Sequence, residues 1–331
     1  MSDQIPSEAR FGIMAAAVSG DAGALYRLVA GLLDDGIPIE DVLFDWLSAI
    51  EQEIGSRWAQ GDVLITEEHA ATATVETVVS LLAGSLNQPD TGPRLLIAAA
   101  EGDQHSLPGR LVAAYLLYTG YRTTYLGGNV QAEDLSEYLS SDQPEAMILS
   151  CALTTHLPGA RAAIKVSHDA GVPVIVGGKG FGPGGKWAAP LGADAWVATP
   201  RDLPTTLERW SPDPERAELS ALNSPPGLGD LADGRVRNLA SAQSHYAAST
   251  GAPPDWRATN ELDHLYSAVI SALLVDDPAL LTTELEWQQR TLEAQRSGDS
   301  RAVAYALHAA LGTSGAANKM MARALEITDS S

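Results

Sequence analysis

Cysteine is almost missing from this chain: Cys151 is its only thiol. A single cysteine excludes an internal disulfide and any cysteine-cluster metal site, and a reducing cytoplasm is the expected compartment. Lysine is scarce as well. The four lysines (Lys165, Lys179, Lys186 and Lys319) are scattered, and 21 basic residues stand against 42 acidic ones, a formal net charge of -21. Such a chain repels nucleic acid and anionic membrane unless it holds a strong basic patch, and none is visible. Long apolar runs are lacking too; none approaches the roughly 20 residues of a membrane span. The N-terminal apolar patch, Ile13 to Val18, stops at Ser19-Gly20 with no basic region before it, so no secretory leader is expected.

What is present is core-forming material, 45% hydrophobic residues in 331, enough for two or three domains. Residues 8–88 read as a helical bundle. Leu25, Leu28, Val29, Leu32 and Leu33 recur at helical spacing. Pro38 opens the next helix, lined by Val42, Leu43, Trp46, Leu47 and Ile50 and running to about Trp58. Gly61-Asp62 breaks it, and Thr66 is the expected N-cap of a further helix with Glu67 and Glu68 in its first turn. Four helices of this length predict a bundle.

Residues 93–205 change character. Short apolar runs at 95–100, 123–126, 146–150, 172–176 and 195–198 alternate with helical patterns at 107–119, 132–140, 157–170 and 187–191. That alternation predicts an α/β domain with a doubly wound parallel sheet, whose ligands lie beyond the carboxyl ends of its strands. Residues 211–256, punctuated by Pro212, Pro214, Pro225, Pro226, Gly227, Gly229, Gly234 and Pro253-Pro254, read as a linker. From 257 to 327 the pattern is helical again, predicting an all-α domain of three helices.

The first strand ends in Glu101-Gly102-Asp103-Gln104-His105-Ser106-Leu107-Pro108-Gly109. An imidazole at a strand end suits a transition metal. A carboxylate two residues earlier accepts a hydrogen bond from the other ring nitrogen, fixing the tautomer and making the ligand more basic. Asp103 and His105 are such a pair, although Asp-x-His by itself equally describes a solvated loop histidine. Downstream, Ser150 closes the third strand, and Gly177-Gly178 closes the fourth, where glycine admits a ligand close to the backbone. Each of these alone also reads as a tight turn.

Together these motifs resemble the cobalamin-binding domains of methionine synthase, corrinoid methyltransferases and mutases, which carry Asp-x-His-x-x-Gly, then Ser-x-Leu or Ser-x-Thr, then Gly-Gly. The resemblance implies that His105 displaces the nucleotide base from cobalt and is the metal ligand. It implies further that Ser106 and Gly109 belong to the cofactor loop, and that the nucleotide tail enters a slot lined by Ser150 and Gly177-Gly178. Two positions depart from the pattern. Pro108 occupies the usual glycine place, with Gly109 one later, and Ala152 stands where Leu or Thr is usual.

Trp58, followed after nine residues by Glu68-His69, reads alone as a core tryptophan and a capped helix start. Placed in a bundle directly before a cobalamin domain, it resembles the adenosylcobalamin-dependent photoreceptors, including the light-responsive MerR-type repressors. In that family the tryptophan covers the adenosyl group above cobalt, and the Glu and His contact the same group. A bulky aromatic plate displaced when light breaks the carbon–cobalt bond is a physically sound switch. Two features differ. The chain starts almost at the bundle, without a helix-turn-helix domain, and Ala59 occupies the place of the histidine that ligates cobalt after illumination.

The added C-terminal helices resemble the photocobilins, which pair cobalamin with biliverdin. Arg257 and Arg290 for the propionates, Trp256 and Trp287 as flat walls, and His245, Tyr246 or His264 for the ring nitrogens are the expected bilin contacts. The resulting expectation is a light sensor without catalysis of its own. It binds adenosylcobalamin, with biliverdin as a second chromophore, and changes its homo-oligomeric contacts in light. The rival is a corrinoid protein carrying methyl groups for a methyltransferase system, which needs His105 but neither Trp58 nor Glu68-His69.

Overall fold

The computed structural model describes residues 7–209, 225, 227–294, 299–312 and 315–328. Helix α1 (Ser7–Val18) and α2 (Ala22–Asp34) are separated by Asp21, whose carboxylate accepts the Ala24 N–H at 2.8 Å and caps α2. A rod then runs from α3 (Ile39–Asp41) through a π-helical stretch, Val42–Leu47, into α4 (Ser48–Ala59). Helix α5 spans Ile65–Gly84. Its expected cap at Thr66 is displaced: the helix already begins at Ile65, because the Glu67 carboxylate reaches back to accept the Leu64 N–H at 2.8 Å.

Five parallel strands follow: β1 (Arg94–Ala99), β2 (Arg122–Tyr125), β3 (Ala146–Ser150), β4 (Val174–Gly177) and β5 (Ala195–Trp196). Their order is β2-β1-β3-β4-β5. Helices α6 (Ser106–Tyr118), α7 (Ala132–Ser141), α8 (Leu157–Asp169) and α9 (Leu203–Arg209) flank them. The helix expected at 187–191 is only a short turn, Ala189–Leu191, closed by Gly192 in the left-handed region. Strand order reverses between β1 and β3, which opens a crevice at their carboxyl ends. The register lines up Ala99 with Ser150 and Ser150 with Gly177.

The bundle and the sheet domain share a core. Leu107, Leu111 and Tyr115 of α6 pack with Ile13, Leu25, Leu47, Ile54 and Val75. A polar strap reinforces the contact. The Arg201 guanidinium, from the segment after β5, donates to Asp41 and to Asp45 at 2.8 Å and lies 5.7 Å from the Phe44 ring centroid. Its anchor is the π-helical stretch.

The C-terminal part departs most from expectation. Of the predicted linker 211–256, residues 211–224 and 226 lie outside the described residues, and the rest contains a long helix, α10 (Leu228–Thr250). Gly229 and Gly234 sit inside that helix, and only Gly227, at φ 85°, marks a chain reversal before it. Tertiary burial of Gly234 and Ala242 overrides the low helix propensity that suggested a linker. Four helices then follow where three are expected: α11 (Trp256–Val275), α12 (Pro278–Ala294), α13 (Ser300–Ala310) and α14 (Ala316–Thr328). Their core is continuous with the sheet domain's, joining Leu262, Leu265 and Leu281 to Phe181 and Trp187. Among the described residues no helix is long and apolar enough to cross a membrane.

Candidate cofactor site

The β1–α6 loop turns sharply at Gly102, φ 87°, and buries Asp103 completely. Asp103 Oδ1 accepts the His105 backbone N–H at 3.0 Å and lies 2.7 Å from His105 Nδ1, while Oδ2 accepts the Ala152 N–H at 2.6 Å. Burial alone would raise this carboxyl's pKa. The hydrogen bonds from His105 and the two backbone N–H groups, aided by the His156 ring close by, outweigh burial and hold it well below the usual carboxylate range. In return, the bond from Asp103 raises the His105 pKa against the effect of burial, and the charge of Glu68 adds to the rise. With Nδ1 facing Asp103, Nε2 is left for an external partner, on a side chain that is 51% exposed. Among the described residues no three His, Cys, Asp or Glu side chains converge as a metal cage. His105 Nε2 is thus a single nitrogen donor open to solvent beside a buried carboxylate.

Beside this loop the crevice has the features of a slot. The Ser150 hydroxyl oxygen is buried and has no hydrogen-bond partner within the protein, a costly state that a polar ligand would relieve. Thr155 Oγ1 and Trp196 Nε1, from segments following β3 and ending β5, are in the same condition. Gly178 has φ 109°, and a Cβ there would lie 2.2 Å from the Cys151 carbonyl oxygen. The backbone after β4 thus lies directly on the backbone after β3, which only glycine permits. Gly177 ends β4 in register with Ser150. Gly109, by contrast, lies within α6, where a Cβ would come 2.9 Å from the Tyr125 ring. Its lack of a side chain serves helix-to-sheet packing. Ser106 donates its hydroxyl to Glu76 and so ties the start of α6 to α5.

Ile65, Glu68, His69, Thr72 and Glu76 recur at spacings of three and four along α5 and share one face. That face ends at Glu76, bonded to Ser106 next to His105. Trp58 is the penultimate residue of α4, and Glu51 lies seven residues earlier on the same helix face. Thr72 Oγ1 donates to Glu51 at 2.8 Å and lies 3.3 Å from Glu68. Burial, assisted by the charges of Glu68 and Glu76, pushes the Glu51 pKa up to about 7 against the Thr72 hydrogen bond. His69 is largely exposed, 3.5 Å from Glu68.

The bilin contacts expected on the C-terminal helices are brought together only in part. His264 and Trp287 meet across α11 and α12, ring centroids 5.9 Å apart, and His264 Nε2 lies 3.2 Å from Glu284. Arg257 stacks on the exposed Trp256, 5.2 Å from its centroid, and Arg290 is exposed on α12.

Sequence reasoning missed several residues of this region. Tyr125 donates to the Ser106 carbonyl and lies under the Arg110 guanidinium. Asn129, at φ 52°, accepts the Gly102 N–H at 2.8 Å. His156 lies beside Asp103. Tyr125 ends β2, Asn129 lies in the loop after it and His156 follows β3, so no local pattern announced their convergence on the β1–α6 loop.

Comparison with known proteins bears directly on this geometry. Residues 93–204 match the B12 binding domain family, and residues 11–83 match a second B12 binding domain family. The chain binds cobalamin. It is 26% identical over 170 residues to dimethylamine corrinoid protein 3 of Methanosarcina acetivorans, covering 49% of this chain and 78% of that relative. It is 27% identical over 177 residues to the HTH-type transcriptional repressor CarA of Myxococcus xanthus, covering 52% of this chain and 57% of that protein. In fold this cobalamin-binding chain is similar to the monomethylamine corrinoid protein of Methanosarcina barkeri, with TM-score 0.52 and 21% identity. The alignment spans all of that structure and 62% of this chain.

Proposed function

We propose that the chain is an adenosylcobalamin-based light sensor, with His105 as the lower cobalt ligand and the nucleotide tail held between Ser150 and Gly177-Gly178. The observation that supports it most is the polar face of α5 opposite His105. The charge of Glu68 acts on His105, and Glu76 on the same face is bonded to Ser106 beside it. Glu68 and the Glu51–Thr72 pair offer acceptors to the hydroxyl groups of a ribose, whereas a methyl group has no use for them. Trp58 supplies an apolar plate beside them. When bound, adenosylcobalamin supplies a carbon–cobalt bond that visible light breaks. The protein's part is to present His105, hold the adenosyl group against Trp58, Glu68 and His69, and change bundle and subunit contacts when that group leaves. Ala59 carries no group that could bind a metal, so any ligand offered from the bundle would have to come from another side chain.

The C-terminal helices extend this reading to a bilin such as biliverdin lying against Trp287 and His264, with Arg257 and Arg290 at its propionates. A methyl-carrying corrinoid protein is the second reading, favoured by the corrinoid proteins among the relatives. Against it stands the part of this chain that such a protein's fold does not cover. The deciding experiment is absorption and light-scattering mass of the holoprotein, dark and after green light. A light-induced spectral change with altered mass, and preference for adenosylcobalamin over methylcobalamin, support the sensor. Equal binding of the two forms without a mass change overturns it in favour of the carrier.

A further inference from the structure

His156 belongs to neither the cofactor loop nor the slot as read from sequence, yet it is mostly buried and its Nδ1 points at the centre of the site. That nitrogen lies 3.6 Å from Asp103 Oδ1, just beyond hydrogen-bond length, and has no hydrogen-bond partner within the protein. The ring also covers Gly102, where a Cβ would come 3.2 Å from His156 Cδ2. At Gly159, three residues on, a Cβ would come 2.1 Å from the Glu101 carbonyl oxygen. The turn after β3 and the loop after β1 are thus clamped together on both sides of Asp103, and a shift of one is transmitted to the other.

The same turn, Thr154–His156, is held from the other side by the C-terminal helices. Thr154 donates its hydroxyl to Glu284 of α12, and Glu284 in turn lies 3.2 Å from His264 Nε2 of α11. Glu284 and His264 are largely buried, at 14% and 25% exposure. Burial opposes the Glu284 charge. Hydrogen bonds from His264 and Thr154 and the positive character of His264 and His156 nevertheless hold its pKa below the usual value. A buried carboxylate satisfied in this way costs free energy when one partner is removed. A second contact between the same two domains leads elsewhere. Asp277 accepts from Lys186 at 2.8 Å and from Trp187 Nε1 at 3.0 Å, on the segment after β4.

We infer that His156 is a positioning residue for the Asp103–His105 pair, and that Glu284 and His264 hold it there, so that the C-terminal domain governs how firmly His105 is presented to cobalt. This rests on the reading of His105 as the lower ligand. The path is His264, Glu284, the Thr154–His156 turn, Asp103 and His105, and it joins the two ends of the proposed sensor without passing through the bundle. It assigns Glu284 a role in the cofactor site from the far side of the β3 turn.

The test uses the full chain reconstituted with adenosylcobalamin, reading the absorption signature of histidine ligation and the cobalamin affinity. Glu284→Gln and His156→Ala are expected to weaken binding by up to about tenfold, the low end for losing a residue behind a metal ligand, and to shift the spectrum part-way toward that of His105→Ala. His156→Gln, which restores a donor toward Asp103, is expected to recover the wild-type spectrum. Asp277→Asn, which loosens the other interdomain contact, is expected to leave the spectrum unchanged. If His156→Ala does not fold, Glu284→Gln and His156→Gln carry the test alone. Wild-type spectra for Glu284→Gln and His156→Ala beside a shifted His105→Ala overturn this proposal and leave His105 as ligand. An unshifted His105→Ala overturns the ligand reading and the proposal with it. A shift in Asp277→Asn as large as in Glu284→Gln means that domain docking in general is responsible, and also overturns the proposal.

Discussion

Replacing Asp103 by Asn tests the centre of the site with almost no change of shape. The carboxylate serves three donors: Oδ1 faces the His105 backbone N–H and Nδ1, and Oδ2 accepts from the Ala152 N–H. Asparagine keeps one oxygen. With that oxygen toward His105, the amide NH2 meets the Ala152 N–H at what is now a 2.6 Å contact, donor against donor. With it toward Ala152, the NH2 meets His105, so Nδ1 must become an acceptor and the ring proton moves to Nε2, where it blocks a metal. Because Asp103 is fully buried, water cannot substitute. Either orientation leaves a buried N–H unpaired, a loss of about 1–3 kcal/mol of stability. The second orientation also removes the ligand lone pair, and loss of a partner behind a metal-binding histidine costs roughly 10–100-fold in affinity. Thermal unfolding of the cofactor-free protein measures the first effect, and spectral titration with cobalamin measures the second. Wild-type affinity together with a wild-type spectrum would refute the assignment of Asp103 as the group that fixes the His105 tautomer.

Two further outcomes are expected. Gly178→Ala forces a Cβ to within 2.2 Å of the Cys151 carbonyl at φ 109°; overpacking and positive-φ strain together should cost about 2–4 kcal/mol and loosen cobalamin retention. Gly171→Ala, at φ 74° with nothing within 4 Å, should cost only the backbone term, about 1–2 kcal/mol, and equal losses in thermal melts would count against a tight slot. The Glu51 pKa, pushed up from 4.5 to about 7, makes the cofactor-free protein less stable as pH rises. Below pH 4.5 both folded and unfolded states hold the proton. Between 4.5 and 7 only the folded state does, so stability falls across that window, by about 3 kcal/mol at most. Glu51→Gln should flatten the dependence of the melting temperature between pH 5 and 8, and an unchanged slope would show that Glu51 is not buried as described.

Much of this protein follows from local pattern. Short apolar runs placed the five strands, and period-3.6 spacing the bundle helices, within a few residues, because a central parallel strand buries both faces and a packed helix one. The Asp103–His105 bond is also local: residues two apart in a loop after a strand reach each other without help from the rest of the fold. The slot was legible only as an order of residues, Ser150 and then Gly177-Gly178; it takes the β2-β1-β3-β4-β5 order to set Ala99, Ser150 and Gly177 side by side. Where local propensity and tertiary burial disagreed, the sequence misled. The glycines and prolines at 225–234 read as a linker, while packing against α13 makes most of that stretch a helix. Glu51, His156 and Glu284 could not be found from sequence at all. A carboxylate becomes unusual only when a second helix excludes water from it, and a histidine becomes a neighbour of Asp103 only when two crossovers converge. Burial and convergence are properties of the assembled sheet and helices, and they are decided by contacts between residues tens of positions apart.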